Sequence, residues 1–551
     1  MRELNIFEYN ATILTSGKVS STPAVSALAA ANIMTPVSKS LIPFFTLLTN
    51  LFAAGMFHAS PALLPSVTVM QLFMLSYSYY LKKSEVIAVV LGLVAVLATG
   101  WPFCAVLWIP MGMKILFDGL FYSHRTISNS NSNSSDTSGQ PQSQPQPAVT
   151  VNPKQVAHII QRTILHAIMI QLVVSSIDYY FYGQSVFPTW NIFEYNATSG
   201  GDELYGVEDF IFYVRNLIVN WNGAALLAVM ALLPNISWNE KKHTRILLAP
   251  MILWMITVFP RPHKEERFLF PMYPLLSVAS ALTLDTLLPL LVPIFITPQR
   301  HHFGAGSVPN LPLWAQGWSS KIGTLLLLAM GSVSILRSMA LSNYYSAPLS
   351  VYQHLYHILD ANAIEDKDAS ITVCVAGEWH RFPSSFYLPR STTTLEYLPS
   401  RFKGQLPAPF SGTPTHTHPH THTRAANHHD DMEEFDDNHN NDFHNNNNKN
   451  NYLNIAPFND QNLEEPSRYI EGGVSSCNYL VDLLLEGRDK EPEGVEHMKK
   501  DKKGGKLWEE IYSVPFLDAE RTGFLDRVLY IPFGRDSSRV YAKYALFVRK
   551  D

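Results

Sequence analysis

One short run, His263-Lys264-Glu265-Glu266-Arg267, sets two cations, a histidine and two carboxylates side by side ahead of Phe268. Strongly apolar stretches enclose it: residues 246–259 before it and 268–296 after it, the latter carrying one charge, Asp285. Ionisable groups cost roughly 2.5–3.5 kcal/mol each at mid-membrane, and those kept near a membrane usually have a task. A plainer reading competes, in which Lys and Arg merely anchor a helix end among lipid headgroups. Pro260, Pro262, Pro271 and Pro274 bracket the run, so helices must break or kink on either side of it.

The elements that would position such a run are membrane helices. The chain is 47% hydrophobic and 16% charged over 551 residues, against about 25% charged in soluble proteins. Net charge is −5, and no Lys/Arg block is large or aromatic-interleaved enough to argue for nucleic acid. Three cysteines, Cys104, Cys374 and Cys477, are too few for a disulfide scaffold, and no CxxC pair offers a zinc site. One bridge between Cys374 and Cys477 is expected if the tail lies in an oxidising compartment. The first 20 residues lack a basic region followed by a long apolar core, so they do not read as a signal peptide.

Apolar runs predict membrane crossings at 41–57, 62–81, 163–182, 211–233, 246–259, 268–296 and 322–341. Residues 86–116 are too long for one crossing and are interrupted at Gly100-Trp101-Pro102, which predicts a two-pass hairpin. Loops bearing Lys82-Lys83, Arg125 to Arg162, Lys241-Lys242-Arg245 and Arg300 to Lys321 then share one face, expected to be cytosolic. The acidic loop 183–210, the His263 run and the tail from Ser342 fall on the other face. The run is then the one basic loop on the lumenal side, which anchoring alone does not explain.

Residues 41–341 thus form a multi-pass domain with a disordered cytosolic insertion at 128–152, rich in Ser, Asn, Gln and Pro. Residues 342–551 read as a small mixed α/β domain, with β-like runs at 371–375, 528–531 and 540–548. A His- and Asn-rich insertion at 413–451 interrupts it; irregular spacing favours disorder over a metal site. Residues 1–40 are atypical. The octapeptide at 5–12 recurs at 191–198, too short for a structural repeat, and reads as an aberrant start or a short duplication.

The stretch HKEERFLFPMYP, His263 to Pro274, resembles glycosyltransferase family 22. Further matching stretches include Gly55-Met56-Phe57, Gly100-Trp101-Pro102-Phe103, Ile177 to Gly183, Leu204-Tyr205-Gly206 and Arg215-Asn216 to Asn222. In the tail, Glu378-Trp379-His380-Arg381-Phe382-Pro383, Phe402 to Pro407, Asn459 to Tyr469 and Pro515 to Ala519 resemble members that build lipid-linked oligosaccharide. The resemblance covers the chain from about Ser40 onward, less the two insertions. It implies a mostly α, multi-spanning endoplasmic-reticulum membrane enzyme of GT-C type with a lumenal C-terminal domain. Such an enzyme is an inverting α-1,2-mannosyltransferase, moving mannose from dolichyl-phosphate-mannose to the lipid-linked oligosaccharide precursor of N-glycans.

That chemistry implies roles. The leaving dolichyl phosphate is an anion that needs cations rather than a general acid. His263, Lys264 and Arg267 suit the donor phosphate, Arg through two parallel donors and Lys as a point charge. Glu265 and Glu266 orient these groups or bind sugar hydroxyls. Asp178 is a helix-end polar residue or a sugar ligand, and Asp202, Tyr205 and Trp101 are acceptor-site candidates. No metal and no cofactor is required, since the donor is a monophosphate. Family members carry a paired acidic motif in a first lumenal loop, assigned as catalytic base. Nothing resembling it precedes Leu41, so the base is expected upstream of Met1, and Gln184 stands where the pattern has Lys. Two other readings remain: a catalytically incomplete scaffold, and a transporter, which would favour mid-membrane polar sites and paired repeats.

Overall fold

The computed structural model describes residues 41–123, 149–151, 153–198, 203–233, 242–296, 313–365, 370–381, 386–389, 393–407, 461–485, 493–500, 508–531 and 538–550. Residues 1–40, Asp202, positions 128–148 and the His/Asn-rich insertion lie outside them. The chain divides into two units. One takes the described residues up to Val174, then Phe187–Tyr345 and Leu517–Val540; the other takes Ser175–Val186, Ser346–Phe516 and Tyr541–Asp551.

The first unit is helical. In chain order it holds α1 (Ile42–Phe52), α2 (Ala54–Ala59), α3 (Pro65–Leu81), α4 (Glu85–Ala98) and α5 (Ile109–Leu120). The short strands β1 (Phe121–Ser123) and β2 (Val149–Val151) pair antiparallel. There follow α6 (Pro153–Tyr182), α7 (Pro188–Thr198), α8 (Ile211–Met230), α9 (Lys242–Val258), α10 (Tyr273–Ile296) and α11 (Leu313–Tyr345). α6 runs on past the unit boundary at Val174.

Local chemistry explains the breaks. Ala53 is extended between α1 and α2, splitting the crossing expected at 41–57. Gly100, with φ +65°, and Pro102 follow the end of α4, and the 3-10 turn Pro102–Trp108 leads into α5, so the chain breaks where the sequence predicts. Among the described residues, four helical stretches are long and apolar enough to cross a membrane: Pro102–Leu120, Pro153–Tyr182, Glu266–Pro289 and Gly317–Tyr345. β2 falls in the stretch expected to be linker up to residue 152.

Lipid tails are as apolar as leucine, so these helices associate through close packing rather than water exclusion. Gly323 on α11 shows this: a Cβ there would meet the Phe45 ring at 2.5 Å, so only glycine lets α11 close on α1. Buried aromatic side chains, among them Phe73, Tyr213, Trp221, Trp254 and Tyr273, fill the interior. α8 bends where Asn222 adopts φ +41°. A non-glycine residue there costs about 1–3 kcal/mol and persists only if its surroundings hold it. The Asn222 amide does so, donating to Met330 O (3.2 Å) and Ser334 Oγ (2.9 Å) of α11.

The second unit is a mixed α/β domain. It adds α12 (Ala347–Glu365), β3 (Ile371–Val375), β4 (Thr393–Tyr397), β5 (Tyr479–Leu484), α13 (Glu493–Lys500), β6 (Trp508–Leu517) and β7 (Tyr541–Arg549). The sheet runs β4-β3-β5-β7-β6, with β3 parallel to both neighbours and β5 antiparallel to β7. Cys374 of β3 and Cys477, just before β5, form a disulfide with Cα atoms 5.9 Å apart. The apolar runs at 371–375 and 540–548 thus become β3 and, nearly, β7. The run at 528–531 falls in the first unit and does not form a strand: Phe524–Val528 is a short helix, and Tyr530 N–H bonds Leu336 O of α11 of the same unit instead of a sheet neighbour.

Candidate active site

The His263 run lies between α9 and α10, where proline chemistry stops one helix before the next begins. Its loop is stitched to residues 206–208 by three hydrogen bonds. Glu208 N–H donates to Pro262 O at 3.0 Å. The Lys264 ammonium donates to Glu208 O at 2.7 Å, and His263 Nδ1 donates to Gly206 O at 3.0 Å. Lys264 also caps Arg261 O within its own turn.

Backbone conformation then decides which side chains face where. Glu265 is extended, with φ −130° and ψ +148°, and extended residues send alternate side chains to opposite sides. His263, Glu265 and Arg267 all line one cavity of about 330 Å³, whereas Lys264 and Glu266 do not. Glu265 Oε1 gathers its neighbours, accepting from Arg267 NH2 at 2.6 Å and His263 Nε2 at 3.0 Å. The ring is thus held at both nitrogens, by a backbone carbonyl on one side and a carboxylate on the other.

The cavity wall is aromatic. Trp101 meets Trp254 edge-on at 5.3 Å, and His263 meets Phe268 and Tyr205 edge-on at 6.0 and 6.1 Å. Trp254 Nε1 donates to Phe268 O at 2.8 Å, which fixes α9 against the turn Glu266–Met272. Arg261 also lines the cavity, its guanidinium 5.4 Å from the Phe103 ring centre. Tyr195 and Asn196 of α7 complete the wall. Two guanidinium groups and an imidazole beside flat apolar rings can hold a phosphate and a sugar ring together. Among the residues lining the cavity, Glu265 is the carboxylate.

Glu266 faces the helix packing instead. Its Oε1 accepts from Asn220 Nδ2 at 2.7 Å, His58 Nε2 at 2.8 Å and Tyr273 Oη at 2.9 Å. One oxygen thus ties α8, α2 and α10 together. Gly55 leaves room for this, since a Cβ there would meet Trp221 Nε1 at 2.6 Å and the Tyr273 ring at 3.1 Å.

The expected site residues therefore divide. His263, Glu265, Arg267, Tyr205 and Trp101 come together at the cavity. Lys264, expected on the donor phosphate, spends its charge on backbone carbonyls and is 7% exposed, because its side chain points away from the cavity. Glu266, expected on sugar or cations, is a helix tie. Asp178 belongs to the second unit, its Oδ2 buried without a hydrogen-bond partner. Asp202 lies outside the described residues. Arg261, Trp254, His58 and Asn220 were missed; Asn220 sits inside the quoted stretch 215–222, whose spacing carries no sign of its partner 46 residues on.

Comparison with known proteins points the same way. The sequence model of the Alg9-like mannosyltransferase family matches residues 20–389, opening before Ser40 and enclosing the whole cavity. The chain is 33% identical over 525 residues to "Alpha-1,2-mannosyltransferase ALG9" of Mus musculus, covering 93% of this chain and 70% of that protein. The Homo sapiens protein of the same name is 33% identical over 528 residues, with the same coverage. That of Saccharomyces cerevisiae is 25% identical over 496 residues, covering 88% of this chain and 71% of the other. No solved structure matches.

Proposed function

The chain belongs to the Alg9-like mannosyltransferase family and is a glycosyltransferase, and from that premise we propose that it moves mannose from dolichyl-phosphate-mannose to the lipid-linked oligosaccharide precursor of N-glycans. The linkage made is α-1,2, as in the names of its relatives, and the reaction runs on the lumenal face of the endoplasmic-reticulum membrane. The observation that carries the reading is the cavity in which Arg267, Arg261 and His263 stand among Trp101, Trp254, Tyr205 and Phe268. A lipid monophosphate sugar matches that mixture: one anion for the cations, one sugar face for the rings, and a polyprenyl chain for the bilayer. The Cys374–Cys477 disulfide fits a tail in an oxidising lumen.

In the proposed reaction an acceptor hydroxyl oxygen attacks the mannosyl C1 as the C1–O bond to phosphate breaks. The electron pair leaves with dolichyl phosphate, and the hydroxyl proton passes to a carboxylate base. Arg267 and His263, aligned by Glu265 Oε1, meet the charge that gathers on the departing oxygen. Preorganised donors of this kind contribute about 10²–10³-fold each.

The test is donor identity. Membranes lacking the endogenous enzyme but containing this chain are given dolichyl-phosphate-mannose or GDP-mannose, with dolichyl-phosphate-mannose synthesis blocked. Transfer to lipid-linked oligosaccharide from the first alone supports the reading. Transfer from GDP-mannose alone overturns it.

A further inference from the structure

Arg337 lies within the apolar stretch Gly317–Tyr345, on α11. A guanidinium at such a place is costly and usually has a specific partner. No carboxylate forms an ion pair with it among the described residues. Its Nε donates to Asn220 Oδ1 at 3.3 Å, and its NH1 reaches Val528 O at 3.5 Å. Asn220 is 1% exposed and uses the other end of its amide, Nδ2, on Glu266.

An amide has one accepting end and one donating end. With a guanidinium at its oxygen, Asn220 must present NH2 to Glu266. Turned the other way, it would set a carbonyl oxygen against a carboxylate and NH2 against a cation. Glu266 in turn fixes the first residue of the turn Glu266–Met272, next to Glu265 and Arg267. The ties of Asn222 to Met330 and Ser334 keep α8 at the height where this bond can form.

We propose that Arg337 is a positioning residue of the transfer reaction: by orienting the Asn220 amide it sets Glu266, and through Glu266 it holds Glu265 and Arg267 in register with the cavity. The inference rests on the proposed mannosyl transfer, and it adds a residue that touches neither substrate. Arg337 acts on the transition state rather than on donor affinity, because a misplacement of about 1 Å can cost on the order of 10²-fold in rate.

The experiment measures kcat and KM for dolichyl-phosphate-mannose with the full chain in membranes, per molecule of folded protein. Arg337→Met is expected to lower kcat by about 10–100-fold with KM changed less than about twofold, a split that distinguishes positioning from lost binding. Arg337→Lys should recover part of the rate, since an ammonium can still donate to Asn220 Oδ1. Asn220→Asp should fall as far as Arg337→Met: it keeps the partner for Arg337 but loses the donor to Glu266. Combining Arg337→Met with Glu266→Gln should cost less than the product of the two single losses, because Arg337 acts through Glu266. Normal kcat in Arg337→Met overturns the proposal. So does a loss confined to the amount of folded protein, normal kcat in Asn220→Asp, or losses in the double variant that simply multiply. If the wild-type chain transfers no mannose from this donor, the functional reading fails instead.

Discussion

The Lys264 ammonium sits 2.7 Å from the Glu208 carbonyl oxygen, joining the acidic loop after α7 to the loop after α9. A hydrogen bond from a charged group contributes about 1.5–3 kcal/mol. Lys264→Met should therefore loosen both loops: limited proteolysis should cut near residues 203–210 faster, and donor KM should rise along with a fall in kcat. Arg, which also reaches carbonyls, should restore much of the protection. A Lys264→Met chain with wild-type protease resistance and only a raised KM would instead put Lys264 on the phosphate.

Arg261 offers a separate check. It lines the cavity and packs on Phe103, so Arg261→Ala should weaken donor binding by about tenfold or more, the scale of one charged hydrogen bond. Arg261→Lys should recover part of the loss. The measurement is saturation of transfer with dolichyl-phosphate-mannose. An unchanged KM in Arg261→Ala would remove Arg261 from the site.

Much of the fold was legible because membrane helices write themselves as long apolar runs. The break at Gly100-Trp101-Pro102 was readable from the positive-φ preference of glycine and the missing N–H of proline, and the structure has it there. The reactive loop was legible as a cluster but not as a site. Five adjacent ionisable residues look alike in sequence, and only the extended backbone at Glu265 sends His263, Glu265 and Arg267 to the cavity and Lys264 and Glu266 away. An alternation test on the loop would have separated them. No sequence signal pairs Glu266 with His58, 208 residues earlier, or Asn220 with Arg337, 117 residues later. The run at 528–531 was misread as a strand because its β-branched and aromatic residues satisfy strand propensity, whereas Tyr530 spends its N–H on Leu336 O.

The second unit carries a pH-sensitive group. Asp482 of β5 is 3% exposed, and burial, helped by the nearby Glu378 charge, pushes its carboxyl up to about 7 from 3.8; backbone N–H groups of Leu483, Val495 and Gly494 pull the other way. The folded form thus holds its proton more tightly than the unfolded chain does. The stability this adds is complete below about 4 and is lost as pH rises through about 7. Thermal unfolding of the tail, read by protease susceptibility in the full chain, should occur at higher temperature at pH 5 than at pH 8. Asp482→Asn should flatten the difference. Equal midpoints at both pH values in the wild-type chain, or a higher one at pH 8, would contradict the assignment.

The Cys374–Cys477 bridge closes a separation of 103 residues. In the chain-entropy model a loop of that size is worth about 4.7 kcal/mol, and removing a native bridge typically costs 2–5 kcal/mol. Cys374→Ser or Cys477→Ser should lower the denaturant midpoint of the tail by a similar amount in either variant, since each removes the same bond. A non-reducing gel in which both variants migrate like the wild-type chain, with no loss of stability, would contradict it.

The most direct test of the account is mannose transfer by the full chain and its Arg267 variants, in membranes lacking the endogenous enzyme and supplied with dolichyl-phosphate-mannose and lipid-linked oligosaccharide. The wild-type chain should yield a product whose added mannose is released by an α-1,2-specific mannosidase. Arg267→Ala should lower the rate by at least about 10²-fold, the scale of one oxyanion donor, and Arg267→Lys should recover only part of it because the two-pronged contact is gone. Wild-type rates in Arg267→Ala would contradict the account.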